Sequence, residues 1–242
     1  MSDARHDGGQ PQFRAFDDVD DLHAVLSSEI AARLTDAVAQ RGRASLVVSG
    51  GTTPGALYDR LARCAAPWKD VEITLSDERW VDPKSEQSNE KLVRSRLLTA
   101  SAAAARLVPL KTPHMHAVDA EVDVGTAIAA MPRPFDVALL GMGADGHTAS
   151  LIPGSAGLAR ALDRNDLALV RAIDPPPASG MGPRITLTLR ALLDARWIVI
   201  FIRGEEKRAA YRRALSGRDV LAAPVRAVLQ QTGVPVSVFW SL

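Results

Sequence analysis

The feature that constrains this chain most is a rhythm. Short, largely apolar runs recur along it, and most of them close on glycine, serine or aspartate. They fall at 45–48, 71–75, 135–140, 167–173, 197–202 and 234–239. Brief β-branched runs between turn signals suit strands buried on both faces, as in parallel sheets. The stretch 185–189, Ile-Thr-Leu-Thr-Leu, alternates instead and reads as a strand with one polar face. Helical periodicity fills the intervals. In 20–40, Leu22, Val25, Leu26, Ile30, Leu34 and Val38 recur at steps of three and four. Asp20 and Asp21 suit the first turn of that helix, and Gly42 its stop. Further helices are predicted over 54–63, 89–105, 120–130, 205–215 and 224–229, with Pro54 and Pro224 in first turns. Strands alternating with helices predict one α/β domain, with a mainly parallel sheet and helices on both faces. In such sheets ligands bind at the carboxyl ends of the strands.

Composition sets the outer limits. A length of 242 residues fits a single domain over 17–242 after a loose tail or lead-in over 1–16. The net charge is +1 with the two signs interleaved, so no basic stripe marks a nucleic-acid partner. The basic run from Lys207 to Arg213 follows Glu205 and Glu206 and reads as a solvated helix face. One cysteine, Cys64, excludes an internal disulfide and a thiolate metal cluster. The polar N-terminus has no apolar core of the signal-peptide kind, and the run 197–202 is too short to span a bilayer. The expectation is a cytoplasmic protein with no membrane partner. His114 and His116 lack an obvious third ligand, so no metal is expected. The Pro-rich stretch 175–183 reads as a surface loop.

The polar motifs directly follow predicted strands. Ser49-Gly50-Gly51-Thr52-Thr53-Pro54 joins a strand to a helix. Its spacing fits an anion cradle of backbone N–H groups and hydroxyls, and equally a tight turn with a capping hydroxyl. It is not a P-loop, because no Gly-Lys-Ser/Thr follows. Ser76-Asp77-Glu78-Arg79-Trp80 places charges at a strand end, where burial is costly without a purpose. Asn89 opens the next helix and suits an N-cap. The segment 141–150, Gly-Met-Gly-Ala-Asp-Gly-His-Thr-Ala-Ser, contains a formal G-x-G-x-x-G. The dinucleotide reading does poorly there, since Pro153 and Gly154 interrupt the required helix and no ribose-binding acid follows. A Gly-rich turn presenting Asp145 and His147 reads instead as a catalytic loop, because a carboxylate can fix the imidazole tautomer. Arg184 and Lys207 each put a cation beside a strand end. Arginine can grip phosphate through two N–H groups, and lysine acts as a point charge.

In this order the motifs resemble the 6-phosphogluconolactonase family. The resemblance runs through 49–54, 76–81, 88–94, 141–154, 184–188 and 204–207, and so covers nearly the whole chain. It implies a modified Rossmann-like α/β fold, shared with glucosamine-6-phosphate deaminases, and no redox cofactor or catalytic metal. The implied reaction is hydrolysis of 6-phospho-D-glucono-1,5-lactone to 6-phosphogluconate, in the oxidative pentose phosphate pathway. The partner would be this small sugar-phosphate lactone, and the protein a monomer or small homo-oligomer. In the sister deaminases the Asp-Gly-His turn continues into an Ile-Ala-Phe-Asn-Glu-Pro type of sequence. Here Thr148-Ala149-Ser150-Leu151-Ile152-Pro153 follows, and Asp77-Glu78-Arg79 stands for their Asp-Glu-Tyr. One region departs from the lactonase pattern. Asp174 stands where members often carry a lysine, and 178–182 intervene before Pro183-Arg184.

The expected division of labour follows. His147 is the general base and Asp145 orients it. Arg79 steadies the oxyanion or the ring oxygens. Ser49, Gly50, Gly51, Thr52, Thr53, Arg184 and Lys207 bind the phosphate end, with Asp77 and Asn89 as further substrate contacts.

Overall fold

The structure is a computed structural model that describes residues 10–242. It contains two sheets. The larger has seven strands: β1 (Gln12–Phe16), β2 (Ala44–Val48), β3 (Val71–Leu75), β5 (Arg106–Val108), β6 (Val137–Leu140), β9 (Ile198–Arg203) and β10 (Val236–Ser241). Their order across the sheet is β1-β10-β9-β6-β2-β3-β5, and every neighbouring pair is parallel. The smaller sheet, in the order β4-β8-β7, holds β4 (Asp77–Arg79), β7 (Val170–Ile173) and β8 (Arg184–Leu187) in antiparallel pairing. Helices flank these sheets: α1 (Val19–Arg41), α2 (Gly55–Leu61), α3 (Asn89–Arg96), α4 (Glu121–Ala129), α5 (Leu158–Leu162), α6 (Leu189–Leu193), α7 (Gly204–Ser216) and α8 (Arg226–Leu229). Among the described residues no helix is long and apolar enough to cross a membrane.

The main sheet forms where the apolar runs fall. Every residue of β2, β3 and β6 is buried, as expected for strands covered on both sides. Helix α1 starts where the Asp18 side chain accepts from the Asp20 N–H, and it stops at Gly42, whose φ of 75° is left-handed. The chain moves outward from β2 in two directions, through β3 to β5 on one side and through β6 and β9 to β10 on the other. Ser49 and Gly141, which follow the adjacent strands β2 and β6, therefore flank the point where the winding reverses, the place open α/β sheets use for ligands.

Several expectations need correction. The lead-in over 1–16 lies partly outside the described residues, and its last part is strand β1 rather than a tail. That strand lacks an apolar run. It is held by pairing with β10, by Phe13 stacking on Tyr211 at 5.2 Å and by Phe16 stacking on Phe239 at 5.8 Å. The runs at 167–173 and 185–189 do form strands, but outside the parallel sheet, and Leu189 opens α6. The helix predicted over 89–105 ends at Arg96, and a 3-10 turn, Ala100–Ala104, follows. The short elements β4, β5, α5 and α6 carry too few residues for periodicity to reveal.

Candidate active site

The carboxyl ends of β2, β3, β6 and β9 surround a cleft with about 810 Å³ of open space. Its walls include Ser49 to Pro54, Asp77, Arg79, Asn89, Gly141, Met142, His147, Arg184 and Lys207. Every site residue expected from the sequence lines it except Asp145, which stands behind His147.

The loop after β6 presents the imidazole. Gly143 N–H donates to the His147 carbonyl at 2.8 Å and Gly146 N–H to the Gly143 carbonyl at 3.0 Å, closing a tight turn. Gly146 has a φ of 84°, where a side chain would also meet Ala223. Asp145 Oδ1 lies 2.6 Å from His147 Nδ1 and accepts the His147 N–H at 3.1 Å. The pair packs directly on Gly143, where a Cβ would overlap both side chains. The hydrogen bond to His147 holds the Asp145 carboxyl down to about 2. Asp145 is therefore ionised at neutral pH, which fixes the Nδ1–H tautomer and leaves Nε2 as the acceptor. The loop is tied down further on. Thr148 Oγ1 donates to the Gly141 carbonyl at 2.9 Å, and Leu151 N–H closes a turn onto the Thr148 carbonyl at 3.0 Å. Within that turn Ala149 has a φ of 49°, a left-handed conformation that costs a non-glycine residue about 1–3 kcal/mol. After this loop the next helix is α5, beginning at Leu158, so the glycines of 141–146 open no helix of the dinucleotide-binding kind.

The opposite wall comes from the small sheet. Ser76 turns the chain out of β3, and β4 follows at once. In the β4–β8 register Arg79 stands directly opposite Arg184, and both line the cleft. Like charges directly opposite one another repel. Burial, and then the neighbouring Arg79, pull the Arg184 pKa below its usual value against the opposing pull of Asp77. Asp77 is only a loose partner, 3.9 Å away. The Nε atoms of Arg79 and Arg184 are buried and, among the described residues, without a hydrogen-bond partner. Arg79 Nη1 donates to the Gln87 carbonyl, and the donors that the two adjacent guanidinium groups still have free fit an anionic ligand. Lys207, in the first turn of α7, brings a third cation and donates to the Met142 carbonyl at 2.7 Å.

Glu78 and Asn89 hold this wall in place. Glu78 is fully buried and accepts from the backbone N–H groups of Arg79, Asn89 and Glu90 and from Ser88 Oγ, all at 2.7–3.0 Å. Burial raises its pKa against the pull of these four donors. The N-cap of α3 is Ser88, whose hydroxyl accepts from the Lys91 N–H, and not Asn89 as expected. Asn89 is freed to donate from Nδ2 to the Asp77 carbonyl at 2.8 Å, while its carboxamide rests on Gly50. A Cβ on Gly50 would overlap that carboxamide, which explains the glycine. Gly51, with φ 89°, provides the left-handed step of the same turn.

Sequence reasoning missed Ala149 and Phe201 to Arg203 as lining residues, and Ser150 and Thr186 just behind the wall. A signal for Ser150 and Thr186 existed. Both are polar residues placed at or beside strand-end motifs, yet both are fully buried. None of 174–183 lines the cleft, the loop in which the sequence departs from the family pattern. Among the described residues no group of three or more His, Cys, Asp or Glu side chains is gathered to hold a metal.

The model of the family described as glucosamine-6-phosphate isomerases/6-phosphogluconolactonase matches residues 17–240. The 6-phosphogluconolactonase of Mesorhizobium japonicum is 42% identical over 242 residues, 100% of each chain. That of Rhizobium meliloti is 39% identical over 93% of this chain and 97% of its own. The crystal structure of a 6-phosphogluconolactonase from Shewanella baltica superposes with a TM-score of 0.93 at 45% identity, covering 96% of this chain and 98% of that one.

Proposed function

The chain belongs to the family of glucosamine-6-phosphate isomerases and 6-phosphogluconolactonases, and on that premise we propose how its cleft works. The protein is a lactone hydrolase, acting on 6-phospho-D-glucono-1,5-lactone in the oxidative pentose phosphate pathway. His147 Nε2 takes a proton from water as the water oxygen attacks the lactone carbonyl carbon. Asp145 holds the ring in the required tautomer and steadies the imidazolium that forms. The tetrahedral oxyanion collapses, the bond to the ring oxygen breaks, and that oxygen takes the proton from His147. The product is the open-chain 6-phosphogluconate.

The phosphate end meets Arg184, Lys207 and the 49–53 turn, and Arg79 reaches the oxyanion or the sugar oxygens. Gripping the substrate at a point remote from the carbonyl makes the attack nearly intramolecular. Asp77 and Asn89 complete the contacts. No metal or redox group has a part in this scheme. We place the enzyme in the cytoplasm, as a monomer or small homo-oligomer.

The observation that carries the reading is the pairing across one cleft of a carboxylate-held imidazole with two cross-strand arginines. A coupled hydrolysis assay with freshly made lactone tests it. The expected result is rapid turnover of the phosphorylated lactone, much slower turnover of glucono-1,5-lactone, and no ammonia from glucosamine 6-phosphate. Ammonia release without lactone turnover would overturn the reading.

A further inference from the structure

The turn that carries His147 needs an external hold. Ala149 sits two residues beyond the base with φ 49°, a conformation alanine does not keep unaided. The next residue, Ser150, is fully buried and fastened twice. Its hydroxyl donates to Asp77 Oδ2 at 2.5 Å, and its backbone N–H donates to Thr186 Oγ1 at 3.3 Å. These two acceptors are direct cross-strand partners in the β4–β8 ladder. Two residues along, the same ladder carries the Arg79–Arg184 pair. The Asp77 oxygen that receives Ser150 is also the one nearest Arg184.

We propose that Ser150 is a positioning residue: its two hydrogen bonds clamp the strained turn to the β4–β8 ladder, setting His147 at a fixed distance from the arginine pair. This rests on the reading of His147 as the base. Without the hydroxyl bond to Asp77, the remaining 3.3 Å backbone bond to Thr186 Oγ1 is too weak to hold Ala149, which relaxes toward negative φ as the imidazole drifts from the carbonyl. A misplacement of about 1 Å can cost on the order of 10²-fold in rate. Arg79 keeps its bond to the Gln87 carbonyl and Arg184 its register opposite Arg79 in the ladder, so substrate affinity changes little.

The test compares Ser150→Ala with Ser150→Ala/Ala149→Gly, because glycine takes a left-handed φ without a clamp. Ser150→Ala is expected to lower kcat by about ten- to a hundredfold with KM within about threefold. In the Ala149→Gly background the same removal is expected to cost less than about threefold, for the same geometric reason. A second readout is independent of turnover. The Nδ1 proton shared with Asp145 is followed by NMR, and Ser150→Ala is expected to speed its exchange with solvent. If Ser150→Ala keeps its kcat, or loses it equally in both backgrounds, the clamp is refuted. Unchanged Nδ1 proton exchange in Ser150→Ala also refutes it. If instead the unmodified enzyme fails to hydrolyse the lactone, the functional reading falls, while the NMR comparison still decides the clamp.

Discussion

The seven-stranded sheet and the three-stranded sheet are stabilised by different means. In the large sheet, a strand such as Val137–Leu140 is apolar and buried along its whole length and needs only covering, and the one buried charge of Val71–Leu75, Glu72, is paired with Arg43 and Arg106. The small sheet buries charge. In β4, Asp77 and Glu78 are both buried, and each carboxylate is met by named donors. The exceptions are Arg79 and Arg184, whose Nε atoms find no partner among the described residues. A buried polar group is normally satisfied, so the unsatisfied ones mark where a ligand completes the structure. The large sheet thus presents the Asp145–His147 pair at its switch point, and the small sheet presents the cross-strand arginines opposite it.

That division can be broken experimentally, and the most damaging change is to His147, the proposed base. His147→Ala is expected to lower kcat by about 10²–10⁴ with both phosphorylated and unphosphorylated lactone, leaving KM nearly unchanged. Selective loss with the phosphorylated substrate would place His147 on the phosphate side instead. Arg184→Ala is expected to behave in the opposite way. A hydrogen bond to a charged group contributes about 1.5–3 kcal/mol. The variant should therefore lose roughly one to two powers of ten in kcat/KM on the phosphorylated lactone. The unphosphorylated lactone should react at its old rate. Equal losses on both substrates would mean that the small sheet also serves the chemical step.

The seam between the sheets is tested at Gly50. A methyl group there collides with Asn89, which bonds to the Asp77 carbonyl. Gly50→Ala is expected to cost about 1–3 kcal/mol of stability by overpacking and to raise KM more than it lowers kcat. A thermal unfolding curve and a substrate titration check both points. The smallest effect concerns acid. The Asp145 carboxyl is held down to about 2 against an ordinary 3.8. Between those values the unfolded chain binds the proton first, so the Asp145 contribution is complete above pH 3.8 and is lost as the pH falls toward about 2. Asp145→Asn should therefore flatten the acid limb of stability in that window. The change will be modest because the carboxylate is about half exposed. Superimposable curves of melting temperature against pH would show that the pair contributes nothing to folding.

The same contrast explains what the sequence disclosed. Strands such as 137–140 announce themselves because burial on both faces demands an unbroken apolar run. Asp77-Glu78-Arg79 gives no such sign, since its burial is offset by partners distant in the chain, among them Ser150, Asn89 and Thr186. Asp145, His147, Arg184 and Lys207 were legible because each follows or precedes a strand within a few residues. Their mutual placement was not, because the antiparallel β4–β8 register that sets Arg79 against Arg184 joins segments about a hundred residues apart. Asn89 shows the limit at one position: its place beside a helix start suggested a cap, but the neighbouring Ser88 takes that role.

One feature of the large sheet bears on how the chain is made. Among the described residues strand β1 pairs only with β10, Gln12 beside Ser237 and Phe16 beside Ser241. On the ribosome, Gln12 of β1 is made 225 residues ahead of its partner Ser237 in β10. Throughout synthesis Phe13 and Phe16 stay uncovered by the strand that will receive them, a sticky early segment of the kind that engages chaperones. The edge can close only once β10 has been made, so a nascent polypeptide stalled before Val236 would hold the rest of the sheet with this margin still open.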